Sequence, residues 1–266
     1  MQTIIQPFTF HSALLQGARK VETMRDELNR INGFPVPDRD TGNNLAYLMQ
    51  QVRRQLLPSD SFTNLLTKLS EASLFGARGN SGAIFSQYFA GFKEAAADVK
   101  DSAAAALPLQ VLAKMFHSGY IFAYRSIQLP REGTILSAMR SFADGFHRLL
   151  GQGADLLQAA EGALKDLRHT VRQTAGILPQ QRAMKAPDAG AMAFLYFAEG
   201  FLNALLGREE AESEADITML AGLVADMADD VHAVLATDEN TGFRYCTEVL
   251  VKLAREDDIN EGMKAR

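Results

Sequence analysis

The feature that most limits how this chain can fold is the spacing of its apolar residues. Leu45, Leu48, Val52 and Leu56 fall on one face of a helix, as do Phe62, Leu65, Leu69 and Ala72. Leu157, Ala160, Leu164, Leu167 and Val171 step by three and four. So do Ile217, Leu220, Val224, Met227, Val231 and Val234. That period lays an apolar stripe along one side of an α-helix and leaves the other side to solvent. With 266 residues, 47% of them hydrophobic, the chain can bury such stripes in a substantial core. The dominant rhythm of the chain is helical.

The helical stretches are divided by recognisable breaks. Pro58-Ser59-Asp60 ends one helix and offers Ser59 or Asp60 as the cap of the next. Pro130 to Thr134, Gly151 to Gly153, Pro179 and Pro187 to Gly190 mark the others, and residues 207–216 read as an acidic connector. Asp26 and Glu27 read as helix surface. One segment departs from the helical period. Residues 243–251 alternate and are rich in β-branched and aromatic side chains, which predicts a strand after a turn at 237–242. That strand either pairs with Thr3-Ile4-Ile5 or opens a further domain.

Charge and cysteine content narrow the function. A formal charge of -5 with no basic tract argues against nucleic acid as the main partner. The single cysteine, Cys246, excludes an internal disulfide and fits a reducing cytoplasm. The start of the chain lacks the pattern of a signal peptide, and its most apolar run, Ala191 to Ala198, is too short to span a bilayer. The expectation is a cytoplasmic protein without an integral membrane segment.

Four loops at predicted helix boundaries carry the candidate chemistry. The first, Phe34 to Asn44, sets Asp38 and Asp40 two positions apart, followed by Thr41, Gly42, Asn43 and Asn44. Mg²⁺ is usually held by one or two carboxylates together with substrate phosphates. The following hydroxyl, permissive glycine and two amides suit a bound anion. The second loop has Gly76, Gly79 and Gly82 at every third position, around Asn80 and Ser81. Glycines let backbone N–H groups approach an anion, and a helix start favours negative charge. Arg131 to Thr134 and Pro187 to Gly190 form the third and fourth.

Taken singly, each loop also reads as an ordinary turn or cap. The Gly-Lys-Ser/Thr of a P-loop is absent. His117, His147, His169 and His232 are scattered and form no zinc pattern. Ser81 and Ser86 have no obvious histidine partner for a hydrolase. The combination is more specific than its parts.

In that combination and order, the loops resemble the nucleotide-binding (DhaL-like) domain of the dihydroxyacetone-kinase family. The nearer branch is the nucleotide-binding subunit of fatty-acid kinase. The family's first loop is similar to Asn-Val-Phe-Pro-Val-Pro-Asp-Gly-Asp-Thr-Gly-Thr-Asn, against Asn32 to Asn44 here. The second stands complete from Gly76 to Gln87. Glu132-Gly133-Thr134-Ile135-Leu136 and Asp188-Ala189-Gly190 match the third and fourth. The resemblance covers roughly residues 8–235.

The resemblance implies an all-α fold, a barrel of about eight antiparallel amphipathic helices consistent with the stripes above, with ATP (or ADP) bound among the loops at one end. By the same resemblance, Asp38 and Asp40 would hold Mg²⁺, with Asn32 in the neighbourhood of a further ligand. Thr41, Gly42, Asn43 and Asn44 would meet phosphate oxygens. Gly79, Asn80, Ser81 and Gly82 would cradle them from a helix start. Thr134, Asp188 and Gly190 would line the rest of the nucleotide pocket. Residues 1–236 form this domain, and 237–266 are a linker and the start of a following domain. There Tyr245-Cys246-Thr247-Glu248 matches a segment that opens the family's next domain, in which the cysteine resembles a zinc ligand. The chain thus reads as the front of a longer protein.

Two differences from the family lie in the first loop. Asn43 replaces a threonine and keeps a hydrogen-bond donor. Arg39 replaces the glycine between the aspartates. Glycine there would permit a positive φ or close approach to a metal. The guanidinium either pairs with the carboxylates and competes with Mg²⁺, turns outward, or lies over the phosphates and takes a direct part in catalysis beside Asp38 and Asp40.

The implied activity is transfer of the γ-phosphate of Mg·ATP to the carboxylate of a fatty acid presented by a DegV-type fatty-acid-binding domain or protein. The rivals are a kinase of small carbonyl compounds and a nucleotide-binding regulator without turnover. Exposed helical faces leave room for a homodimer.

Overall fold

A computed structural model describes residues 5–33, 39–97 and 106–208. Ten helices lie among them. They are α1 (Pro7–Thr23), α2 (Arg25–Ile31), α3 (Thr41–Gln55), α4 (Phe62–Gly76) and α5 (Gly79–Ala95), then α6 (Leu109–Arg125), α7 (Ile135–Gly151), α8 (Leu156–Thr174), α9 (Pro179–Met184) and α10 (Ala189–Leu205). Eight of these have 15 to 19 residues, which meets the expectation of about eight. The short α2 and α9 escape sequence reading because two turns are too few to show a period.

Successive long helices run antiparallel, as the contacts at one end of the bundle show. Phe10, near the start of α1, meets Phe201 near the end of α10 and Phe62 at the start of α4. His11 beside it shares a 2.8 Å hydrogen bond between its Nε2 and the carbonyl of Leu56, just past α3. This is one end of the bundle. The starts of α3, α5, α7 and α10 therefore fall at the other end.

The apolar stripes that fall on α3, α4 and α8 bury as read, with one shift. Leu45, Leu48, Val52 and Leu56 are all buried, and so are Phe62, Leu65, Leu69 and Ala72. On α8 the stripe starts at Leu156, while Leu157 is 41% exposed. The neighbouring residues Leu156 and Ala160 are four apart, so either start satisfies the period, and the capping box of Asp155 and Gln158 sets the helix phase. The cap of α4 also differs from expectation. Ser61 accepts the hydrogen bond from the Asn64 N–H at 3.0 Å, while Ser59 Oγ receives the N–H of Ser61.

The helix α10 is buried on all sides, because it holds the apolar run Ala191 to Ala198. A helix apolar all round belongs in the middle of a protein or of a membrane. Here α1, α7 and α8 surround it. Among the described residues, no helix is long and apolar enough to cross a membrane. Its one carboxylate, Glu199, is 6% exposed and binds Lys20 at 3.0 Å and Arg168 at 2.7 Å, so both oxygens are paired. Aromatic rings from neighbouring helices close on its Phe194, Phe197 and Phe201, mostly edge to face.

The backbone of Ile5 forms an antiparallel bridge with Leu107, at 2.9 and 3.3 Å. This gives Ile5 a different partner from the strand expected at 243–251. That strand, Cys246, the helical stripe from Ile217 and the boundary after 236 lie outside the described residues. Glu27 departs from its surface reading: it is half-buried and faces the fully buried Tyr196. Burial first, and then that carboxylate, hold the Tyr196 hydroxyl well above the ordinary tyrosine range.

Candidate functional site

Each of the four loops ends at a long-helix start, with Asp40, Arg78, Thr134 and Asp188 as the N-caps of α3, α5, α7 and α10. A helix start leaves backbone N–H groups without helical partners and carries partial positive charge. Four of them therefore face the same end of the bundle.

The first and second loops meet directly. Gly79 has a φ of +60°, a conformation that strains any residue with a Cβ. A Cβ there would also come within 2.9 Å of Asn44 Nδ2. Behind them, Arg78 lies with its guanidinium 3.5 Å from the centre of the Tyr47 ring, tying the start of α5 to α3. Asn80 is exposed, Ser81 is half-buried and Gly82 is buried against Ala77.

The start of α3 is anchored on α2. A Cβ on Gly42 would lie 2.1 Å from the Arg25 carbonyl oxygen, so only glycine allows this approach. Asn29 accepts the backbone N–H of Asn43 at 3.1 Å and donates to the Asn43 side chain at 3.0 Å. Asn29 belongs to the site's support, and no motif marked it, because it sits on the short α2. Thr41 and Asn32 are buried, and Asn43 is exposed.

Arg39 is exposed and has a φ of +56°. The backbone here takes the conformation for which glycine is suited, and the side chain points outward. Asp38 lies outside the described residues. Among the described residues, no group of three or more His, Cys, Asp or Glu side chains could hold a metal. Asp40 is the described carboxylate of the pair.

The third and fourth loops are joined through α9. Asp188 Oδ2 accepts the Ala191 N–H at 2.8 Å, and Oδ1 accepts from Gln181 at 2.9 Å. Its own N–H donates to the hydroxyl of Thr174 at the end of α8. Burial pushes the Asp188 carboxyl up to about 6, although these donors and the Ile135 and Gly190 N–H groups oppose the rise. Gly190 packs against Ile135, and a Cβ there would approach it to 3.1 Å. Thr134 donates to the Arg131 carbonyl at 2.7 Å and accepts the Leu136 N–H. Glu132 is gripped by Arg140 and by the Ser137 hydroxyl, which hold its carboxyl below the usual range, the Ser137 bond most strongly. A Cβ on Gly33, at the exit of α2, would fall 2.0 Å from Met184 Sδ, so the first loop also reaches α9.

The structure thus brings Asn44 onto Gly79, the Thr134 loop onto the Asp188 loop, and the entry to the first loop onto the end of α9. Sequence reading missed Asn29, Ser137, Thr174 and Gln181, which hold these groups in place.

A family model described as DAK2 domain matches residues 35–203. Protein YloV of Bacillus subtilis (strain 168) is 30% identical over 257 residues, covering 96% of this chain and 45% of that protein. An uncharacterized protein of Staphylococcus epidermidis is 30% identical over 248 residues, covering 92% of this chain and 44% of its own. The chain therefore spans less than half the length of these curated relatives. Among solved structures, it is similar to the crystal structure of the dihydroxyacetone kinase of C. freundii in its native form. The TM-score is 0.54 at 15% identity, covering 75% of this chain and 35% of that one, a likeness of fold.

Proposed function

The chain belongs to the DAK2 domain family, and on that premise we propose that it is an ATP- and Mg²⁺-dependent kinase domain whose nucleotide binds among the four loops. The observation that carries the reading is the seating of Asn44 against Gly79, which sets an amide donor beside a glycine-opened helix start. That pairing suits a polyphosphate, which needs several donors close together and backbone free of Cβ atoms.

The donor set fits the metal as well. Asp40 and the amide oxygens of this loop are the oxygen donors that a hard cation takes. Asp38 and Asp40 would hold Mg²⁺, with Asn32 close by, and the ion would neutralise phosphate charge. Thr41, Asn43 and Asn44 donate to phosphate oxygens. Gly42 lets α3 sit low on α2, so that these donors face the loop end. Gly79, Asn80 and Ser81 would offer the N–H groups of the α5 start, while Gly82 donates its own to the Arg78 carbonyl and keeps the turn free of a side chain. Thr134, Asp188 and Gly190 shape the remainder of the pocket. Arg39, exposed beside Asp40 in the chain, would meet the transferring phosphoryl group or an incoming partner.

The acceptor in this proposal is a fatty-acid carboxylate carried by a DegV-type domain or protein, and the product is an acyl phosphate. A carboxylate is already ionised near neutral pH. The transfer then depends on positioning and charge neutralisation, which is what helix starts, amides and a metal provide.

Calorimetric titration of Mg·ATP into the chain, beside an Asp38→Ala/Asp40→Ala variant, tests the site. Metal-dependent binding that the variant loses is the expected result. Binding that ignores either the metal or the two aspartates would refute it. Binding without turnover, in the presence of lipid-loaded carriers and of small carbonyl compounds, would favour a regulator in which Arg39 has replaced the catalytic arrangement.

A further inference from the structure

Gln181 lies on α9, outside all four loops, and is 3% exposed. Its side-chain amide donates to the Gly133 carbonyl at 3.1 Å and to Asp188 Oδ1 at 2.9 Å. An amide nitrogen carries two hydrogens. Here one goes to each of two loops that are 55 residues apart in sequence, the difference between 133 and 188. The reverse orientation of the amide would set its oxygen against two acceptors, so the network allows one orientation only.

Both ends of this bridge are themselves held. Gly133 has a φ of +79° with Ile177 packed against it, and its N–H donates to Ser137 at 2.9 Å. Asp188 is fixed by Thr174 and by the first turn of α10. Gln181 is a side-chain link between these two assemblies, added to the direct approach of Ile135 to Asp188 and Gly190. Neither α7 nor α10 needs it as a cap, because Thr134 and Asp188 cap those helices.

We infer that Gln181 is a positioning residue that locks the Thr134 and Asp188 loops into one arrangement, so that the two present a single surface to the nucleotide. The inference rests on the nucleotide reading above. Without the two donors, a loop carbonyl and a buried carboxylate oxygen each lose a partner, and the starts of α7 and α10 are held to one another only by the approach of Ile135 to Asp188 and Gly190.

The test uses Gln181→Leu and Gln181→Glu in the full chain, with Mg·ATP as the probe. The Asp188 carboxyl is followed by ¹³C NMR and assigned with Asp188→Asn. Both variants should move the Asp188 titration upward, since a donor is lost in each and a second carboxylate is added in one. Each should weaken Mg·ATP binding by about tenfold or more. Ser137→Ala keeps both Gln181 bonds and should leave the Asp188 titration in place. An unchanged titration and unchanged affinity in the Gln181 variants would overturn the inference. Failure of the unaltered chain to bind Mg·ATP would instead sink the nucleotide reading, and the titration, recorded without nucleotide, would still decide whether Gln181 couples the loops. If leucine prevents folding, the isosteric glutamate variant carries the measurement.

Discussion

Asn44 Nδ2 occupies the space into which a Cβ on Gly79 would project, at 2.9 Å. The two residues belong to different loops and to the first turns of different helices, α3 and α5. Glycine at 79 therefore does two things: it takes the positive φ of +60° and it admits the amide.

Gly79→Ala should cost roughly 1–2 kcal/mol through the left-handed backbone alone. It should also push the Asn44 amide aside and weaken Mg·ATP binding. The two effects are separable by a double-mutant cycle with Asn44→Ala. Coupling above about 0.5 kcal/mol in nucleotide affinity is expected, because residues in contact are not additive. Additive losses would mean that the contact has no bearing on the ligand.

Arg39→Gly is expected to alter metal affinity more than stability. A non-glycine residue at positive φ costs roughly 1–2 kcal/mol. Glycine loses about 0.5–1 kcal/mol more to unfolded-chain entropy. The terms nearly offset, so urea unfolding should change by about 1 kcal/mol or less. Mg²⁺ binding by calorimetry should tighten once the positive charge next to Asp40 in the chain is removed. Equal or weaker Mg²⁺ affinity would sink the idea that Arg39 tunes the site.

Asp188 should make folding stability depend on pH. Its carboxyl lies at about 6 in the folded chain, against an ordinary 3.8. An acid raised in this way binds its proton more tightly when folded. Its stabilising share is full below 3.8 and is lost as pH rises through about 6. The gap corresponds to roughly 3 kcal/mol as an upper figure. Urea denaturation at about pH 4 and pH 7 should show the unaltered chain losing up to that much relative to Asp188→Asn. A difference between the two proteins that is flat with pH would show that the carboxyl is not raised.

Gly91→Ala tests the bundle apart from the site. A Cβ at 91 would lie 2.5 Å from the Ser118 carbonyl oxygen and 2.6 Å from the Gly119 backbone, so α5 and α6 would have to part. Overpacking of this kind costs about 1–3 kcal/mol. The midpoint of urea unfolding should fall accordingly, while the folded fraction binds Mg·ATP as before. Lost binding with unchanged stability would mean that this crossing communicates with the loops.

The helices were legible because their cause is local. Leu45, Leu48, Val52 and Leu56 are spaced to be buried together, and they are. The short α2 and α9 were not legible, and with them went Asn29 and Gln181, since no stripe or motif marks them. The glycine-like backbone at position 39 was readable only as a departure from a family pattern, and the φ of +56° gives it a physical meaning. The inward turn of the Asp188 carboxylate had no signal, because Asp-Ala-Gly reads equally well as a surface cap.

By itself the sequence determined the long helical stripes of α3, α4 and α8 and which four interruptions carry glycines, amides and carboxylates. Those properties follow from residues three or four apart, or adjacent. The tertiary structure alone decided that Asn44 would lie on Gly79 and that Gln181 would bridge Gly133 and Asp188. A hydrogen bond across 48 residues leaves no period in the chain, and it forms only once packing around α10 has brought the helix starts to one end.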